Sequence, residues 1–305
     1  MSQRAKAIWL GILVANGCGA IIMVLTTFIV KAYTGISGVL ILSDFVLLPF
    51  IMGFINAFFW RKHRVTVGPS FGYGFVNLVV GLIYSYFMMG EGYICLIIVA
   101  PLIYVFILLG ILVAKLMFKW NQTTLNISVV AALGGLFILN VLTATPGESQ
   151  VTDRVLIHAK PEVVWQNVAA FSPIESKAEY WLFKIGLPSP VQSTVEGNYV
   201  GADRKCIFSN GIVFDEKIVE YEENRKLTFA ITKQPDDPEI LGHLSLSKGQ
   251  FILEDNGDGT TTLIGTSWYD LKVKPSLYFD LWTQSIVRNV HLQVMEHMKE
   301  LAEQA

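Results

Sequence analysis

Long, unbroken apolar runs fill the first half of the chain and stop near residue 144. Beyond that point apolar and polar positions exchange every few residues. The hydrocarbon core of a bilayer, roughly 30 Å thick, needs about 20 apolar residues of helix to cross it. Five runs meet that requirement: residues 7–30, 38–60, 71–89, 93–118 and 127–144. The first is too long for the apolar part of a signal peptide. The third and fourth are separated only by Gly90-Glu91-Gly92, which predicts a tight helical hairpin. The fifth is the shortest and carries Asn140.

After a short linker, residues 145–149, the periods change. Val151–His158 predicts a strand. Pro161 suits the first turn of a helix over Pro161–Phe171, and a second helix is predicted over Ile174–Ile185. Strands follow at Arg204–Phe208, Ile212–Tyr221, Lys226–Thr232, Gly242–Leu253 and Thr260–Lys272. Ser209-Asn210-Gly211 and the run from Asp255 to Gly259 read as turns between them. Pro275–Ala302 reads as one long amphipathic helix, with Val287, Val290, Val294, Met298 and Leu301 on one face. The pattern predicts two domains. Residues 1–144 form an all-α transmembrane bundle of about five helices. Residues 150–305 form an α+β domain long enough to bury its own core.

Charge sharpens the division. Residues 1–150 hold 8 Lys and Arg and 3 Asp and Glu, against 15 and 22 in the remainder. The acidic excess of the second half argues against nucleic acid as a partner. Arg4, Lys6, Arg61, Lys62, Arg64, Lys115 and Lys119 all fall on one side of a five-span bundle. The positive-inside rule makes that side cytoplasmic. The expectation is an integral protein of a bacterial inner membrane, with a cytoplasmic N-terminus and an extracytoplasmic soluble domain. If residues 127–144 do not cross, the domain moves to the cytoplasm. Cys18, Cys95 and Cys206 are scattered, and decide nothing about redox compartment.

Candidate chemistry is sparse. No metal, nucleotide or nucleophile-elbow motif occurs, and no cofactor is implied. Asp44 is the acidic residue inside a predicted span, about 9 Å from its outer end at 1.5 Å per residue. An intramembrane carboxylate is a functional candidate by default, and it is also open to a structural hydrogen bond with Asn16 or Asn140. Gly11, Ala15 and Gly19 make a small-residue stripe on the first helix. Such a stripe packs closely within a chain or offers a face to a second copy, as a homo-oligomer. His291 falls on or near the apolar face of the last helix. It suits a ligand's polar group, acid–base work, or a satisfied core position. Asp215 and Glu216 interrupt an apolar strand, so one of them can point inward, as an acid–base group or paired with Arg288.

Strand, two helices, antiparallel strands and a long final helix: this order resembles the START-like superfamily, also called SRPBCC or helix-grip. That superfamily includes polyketide cyclases and lipid-transfer domains. The resemblance covers residues 150–305. It is carried by Ile157-His158-Ala159-Lys160-Pro161-Glu162-Val163-Val164-Trp165, by Gly201-Ala202-Asp203-Arg204, by Gly257-Asp258-Gly259-Thr260, and by His291 to Lys299. It implies a curved sheet around the C-terminal helix with an apolar cavity between them. Lining candidates are Trp165, Trp181, Phe214, Phe229, Trp268, Tyr278, Trp282, Val287, Val290, His291 and Val294. Ordinary core packing also accounts for such aromatics. The expected function is membrane-anchored binding or transfer of a hydrophobic small molecule of the lipid, isoprenoid or quinone class, with membrane lipids as neighbours. The rivals are a membrane-bound enzyme of the polyketide cyclase or dehydratase type, and a sensory or assembly protein that binds another protein.

Overall fold

A computed structural model describes residues 2–34, 43–63, 65–120, 147–176, 178–235, 237, 239 and 244–305. The chain forms two compact units, the first made of Met1–Thr145 with Val273–Pro275, the second of Pro146–Lys272 with Ser276–Ala305.

The first unit is helical: α1 (Gln3–Thr34), α2 (Leu48–Trp60), α3 (Val67–Tyr84) and α4 (Tyr93–Trp120). A wider helical turn, Ser43–Leu47, leads into α2, and another, Ser85–Met89, ends α3. Gly90 then takes a left-handed φ of 72°. That conformation stops a helix at little cost in glycine, and α4 begins three residues later. Three stretches are long and apolar enough to cross a membrane among the described residues: Gln3–Ile29, Val67–Phe87 and Tyr93–Phe118. Asp44–Trp60 is apolar but shorter. The fifth predicted span, 127–144, lies outside the described residues.

Small residues let these helices approach. A Cβ on Gly53 would collide with the Ile107 carbonyl, and one on Gly110 with the Phe50 carbonyl. The crossing of α2 and α4 therefore admits nothing larger than hydrogen at those two points. The α1 stripe is used in the same way. Ala15 is fully buried, and Cβ atoms on Gly11 and Gly19 would lie 3.2 Å from Phe59 and 3.1 Å from Met52. Residues of α2 thus cover the face that the sequence offered to a second copy.

The second unit is a seven-stranded antiparallel sheet with a long helix against it. Its strands are β1 (Gly147–Ile157), β2 (Pro190–Val195), β3 (Asp203–Phe208), β4 (Val213–Glu222), β5 (Lys226–Lys233), β6 (Leu244–Asp255) and β7 (Thr261–Leu271). Their order is β1-β7-β6-β5-β4-β3-β2. Short helices α5 (Pro161–Trp165) and α6 (Trp181–Lys184) lie between β1 and β2, and α7 (Ser276–Glu303) closes the chain. β1 takes in Gly147, Glu148 and Ser149, three of the five residues read as a linker.

In β1, Val151, Asp153, Val155 and Ile157 are buried while Thr152, Arg154 and Leu156 are exposed. This strict period of two marks a strand with one face on a core. On α7 the buried positions are Thr283, Val287, His291, Val294, Met295, Met298 and Ala302, with His297 beside them. Their spacing of three and four is one helical face. Three polar contacts hold that face along β1 and β7. Tyr269 donates to Asp280 Oδ1 at 2.6 Å, His291 Nδ1 lies 2.9 Å from Asp153 Oδ2, and the His158 N–H donates to Glu303 Oε1 at 2.8 Å. Ser149, paired with Tyr269 across the strands, and His158 are about 30 Å apart along a strand. Asp280 and Glu303 are about 35 Å apart along a helix. The two elements match in length and run in the same direction.

The helices after β1 are shorter than the sequence predicts, because other partners take their backbone groups. The Ala169 carbonyl accepts from Arg204 Nε at 2.8 Å. The Phe171 N–H donates to Ser193 Oγ at 3.1 Å, and the Ile174 N–H to the Val191 carbonyl at 2.8 Å. A continuing helix needs those groups for its own ladder. Ser193 and Val191 belong to β2, which has no apolar alternation and starts with proline, as suits a sheet edge.

Candidate functional site

Between the sheet and α7 lies a cavity of about 90 Å³. Along β3, β4 and β5 alternation decides what reaches it. Arg204, Cys206 and Phe208 come from β3, Phe214 and Glu216 from β4, and Phe229 and Ile231 from β5. Leu246, Gln250 and Phe251 of β6 and Thr266 and Ser267 of β7 extend the wall. Val290, His291 and Val294 of α7, with Phe171, complete it. Phe229 owes its place to a glycine. It is directly opposite Gly249 across the β5–β6 pair, and a Cβ on Gly249 would strike its ring. A glycine inside a strand commonly marks such a close approach.

Besides Gln250 and Thr266, two groupings of ionisable residues break the apolar lining. The first is a buried ion pair of Arg204 Nη1 with Glu216 Oε2, the two residues being 2% and 5% exposed. The Arg204 guanidinium also lies over the Phe229 ring, 4.5 Å from its centroid. Burial raises the Glu216 carboxyl above the ordinary carboxylate range, and Arg204 opposes that rise. The Cys206 thiol is pushed up to about 12, by burial first and by the Glu216 charge second. It is therefore a protonated, unreactive thiol at neutral pH.

The second grouping centres on His291. Its Nδ1 faces Asp153 Oδ2 at 2.9 Å and its Nε2 faces Ser267 Oγ at 2.8 Å. Asp153 accepts a further contact from Arg288 Nε at 3.3 Å. A carboxylate accepts only, so Nδ1 carries the proton toward Asp153. With the imidazole neutral, Nε2 then accepts from the Ser267 hydroxyl. Among the described residues, no group of three or more His, Cys, Asp or Glu is placed to hold a metal ion.

Of the candidates read from the sequence, Phe214, Phe229, Val290, His291 and Val294 meet at this cavity. The others sit elsewhere. Trp165 is in the core beside α7's C-terminal half, and donates to the Tyr221 hydroxyl at 3.2 Å. Trp181 is 47% exposed and stacks edge-on with Trp282, which also neighbours Tyr278. Trp268 has the opposite strand parity to Ser267 and lies under Lys248 Nζ at 4.3 Å. Val287 is buried outside the cavity lining. In the first unit Asp44 is buried at the entry to α2. Asn16 gives its amide to Asn77 Oδ1 at 2.6 Å and to the Ile12 carbonyl, and Asn140 lies outside the described residues.

Arg204, Cys206, Asp153 and Ser267 were not singled out from the sequence as site residues. Asp153 was accessible to it: Val151, Val155 and Ile157 at two-residue spacing put Asp153 on the apolar face. Glu216 follows from the same argument, since Phe214 and Ile218 flank it at two-residue spacing. Its partner is Arg204, and Arg288 goes to Asp153 instead.

Scans against protein-family models and against curated proteins found no match. Solved structures do match over about half of the chain. Norcoclaurine synthase from Thalictrum flavum, determined with dopamine and hydroxybenzaldehyde, is 10% identical over 52% of this chain and 88% of its own, with a TM-score of 0.36. A protein from Thermobifida fusca is 20% identical over 51% and 93%, at 0.34. One from Nitrosospira multiformis is 15% identical over 49% and 96%, at 0.32. The helix-grip description of the second unit rests on its own architecture, a seven-stranded curled antiparallel sheet with the C-terminal helix laid across it.

Proposed function

We infer that this protein binds a small, mainly apolar molecule in a helix-grip domain anchored to a membrane, and exchanges it with the lipid. The observation that carries this reading is the cavity under α7, lined mainly by apolar side chains, with the Arg204–Glu216 pair and His291 as its partnered ionisable groups. Sites of this kind select by shape and use a few fixed polar groups for orientation. Drug-sized sites run to roughly 300–1,000 Å³, so a cavity of about 90 Å³ suits a small ligand or one end of a longer one. A long isoprenoid or acyl chain requires it to widen.

Anchoring suits such a ligand, because each CH₂ exposed to water costs about 0.8 kcal/mol. The start of α7 supports exchange with lipid. Leu277 and Leu281 are 81% and 63% exposed there. They lie at the end of the domain where β1 begins, since Gly147 pairs with Leu271. Exposed apolar side chains beside the attachment point of a tether favour a lipid surface over water. The five-span topology and the extracytoplasmic side remain part of this proposal, on the strength of the basic residues alone.

Purification of the full chain from native membrane, with mass spectrometry of co-purifying small molecules, tests the reading. A defined apolar compound that is lost in a variant with a charge at Val290 is the expected result. Bulk lipid alone, equal in both proteins, would overturn it.

A further inference from the structure

We propose that Ser267, His291 and Asp153 form a nucleophilic relay, and that the cavity hydrolyses a small carboxylic ester with an apolar acyl group. The geometry is that of a nucleophile held by a base which is itself held by a carboxylate. Ser267 Oγ lies 2.8 Å from His291 Nε2, and His291 Nδ1 lies 2.9 Å from Asp153 Oδ2. These are the two contacts that convert a neutral hydroxyl into a nucleophile, and such a relay is recognised by geometry and roles on any fold. Three separate elements build it. Asp153 and Ser267 come from neighbouring strands in a register that pairs Val151 with Ser267 and Asp153 with Gly265. Both therefore point to the same face, and α7 lays His291 between them.

A buried core histidine needs its two nitrogens satisfied and nothing more. This one is satisfied by a carboxylate on one side and, on the other, by a hydroxyl that itself lines the cavity. Arg204 is the cation among the lining residues.

In the reaction Ser267 Oγ bonds to the acyl carbon and passes its proton to His291 Nε2. The bond from that carbon to the alkoxy oxygen breaks, and the departing alcohol takes the proton. Water then attacks the acyl-serine, giving a proton to His291. The carboxylic acid leaves and the proton returns to Ser267 Oγ. Ester and water become acid and alcohol, with no oxidant or reductant. Asp153 is a positioning residue throughout.

The proposal rests on the cavity reading only in that small molecules enter. The test is covalent labelling of the full chain in detergent with a small alkyl fluorophosphonate, read by intact mass and peptide mapping. The expected result is one adduct per chain, on Ser267, absent from Ser267→Ala. His291→Gln should slow labelling by about 100-fold or more. Asp153→Asn should slow it without changing the affinity of an apolar fluorescent probe, and Asp153→Glu should restore part of the rate. Wild-type protein unlabelled at Ser267, or a folded His291→Gln variant labelled at the wild-type rate, overturns the relay. Probe binding without labelling leaves the cavity reading standing. Labelling without probe binding supports the relay and removes the apolar-ligand reading.

Discussion

His291 Nδ1 lies 2.9 Å from Asp153 Oδ2, although the two residues are 138 apart in the chain. One is on the last helix and the other on the first strand of the domain. Both are buried, so the contact is a charge-assisted hydrogen bond screened little by water. It holds α7 midway along β1, between the Tyr269–Asp280 and His158–Glu303 contacts. Asp153→Ala should leave a buried N–H without an acceptor, at about 1–3 kcal/mol. Arg288, largely exposed, offsets little of that loss. A thermal midpoint unchanged in Asp153→Ala would show that α7 is held by apolar packing alone.

The Arg204–Glu216 pair should behave asymmetrically. Arg204→Met leaves a buried carboxylate alone and should cost about 3–5 kcal/mol, whereas Arg204→Met with Glu216→Leu should recover most of it. The pH dependence has a definite sign. Burial raises the folded-state Glu216 carboxyl above its ordinary 4.5, and removing Arg204 raises it further. A carboxyl raised by folding contributes stability that is complete below the unfolded value and lost as pH climbs through the folded one. The deficit of Arg204→Met should therefore shrink as pH falls toward 4.5. Equal deficits at pH 4.5 and pH 8 would contradict the assignment.

Cys206 should resist alkylation. Its thiol is pushed from 9.0 to about 12, so at pH 8 its thiolate fraction is about a thousandfold below that of an ordinary thiol. Iodoacetamide should modify Cys206 only in unfolded protein. Rapid modification under native conditions, mapped to Cys206, would show the cavity to be wetter than its lining implies.

Gly249→Ala should close the cavity. The new methyl occupies the space of the Phe229 ring, and the ring's way out is into the cavity or into strain. Overpacking of this kind costs about 1–3 kcal/mol. Binding of an apolar fluorescent probe should fall by tenfold or more in a chain that still melts cooperatively. Full affinity would place the ligand elsewhere.

In the helical unit, Gly110→Leu should be far more damaging than Gly72→Leu. Gly110 faces the Phe50 carbonyl in the α2–α4 crossing, while nothing lies within 4 Å of a Cβ on Gly72. Size-exclusion profiles of the two detergent-solubilised variants make the comparison. Equal behaviour would mean that the crossing is not formed.

If the proposed five spans cross, seven basic residues fall on one side, and a reporter fused after Ala305 should be active only outside the cytoplasm. Activity of a cytoplasm-only reporter there would mean that residues 127–144 do not cross.

Local period and solvent preference were legible without any structure. Apolar runs of about 20 residues can be satisfied only by lipid or by one another, which marked out the helices of the first unit. Two-residue alternation marked β1 and β3 to β7, and a three-to-four spacing marked α7. The element order was enough to suggest a helix-grip domain. Tertiary structure decided what a one-dimensional pattern does not encode. α5 ends at Trp165 because distant Arg204, Ser193 and Val191 claim the backbone groups a longer helix would use. β2 exists because an edge strand needs a neighbour more than an apolar pattern. Most of the tryptophans looked like cavity lining, but strand parity and core packing sent them elsewhere. Polar groups reached the cavity instead, because partners far apart in sequence satisfy them there. Asp153 finds His291, and Arg204 finds Glu216. Burial of a polar side chain depends on its partner, and the partner is fixed by strand register and by the helix laid across it.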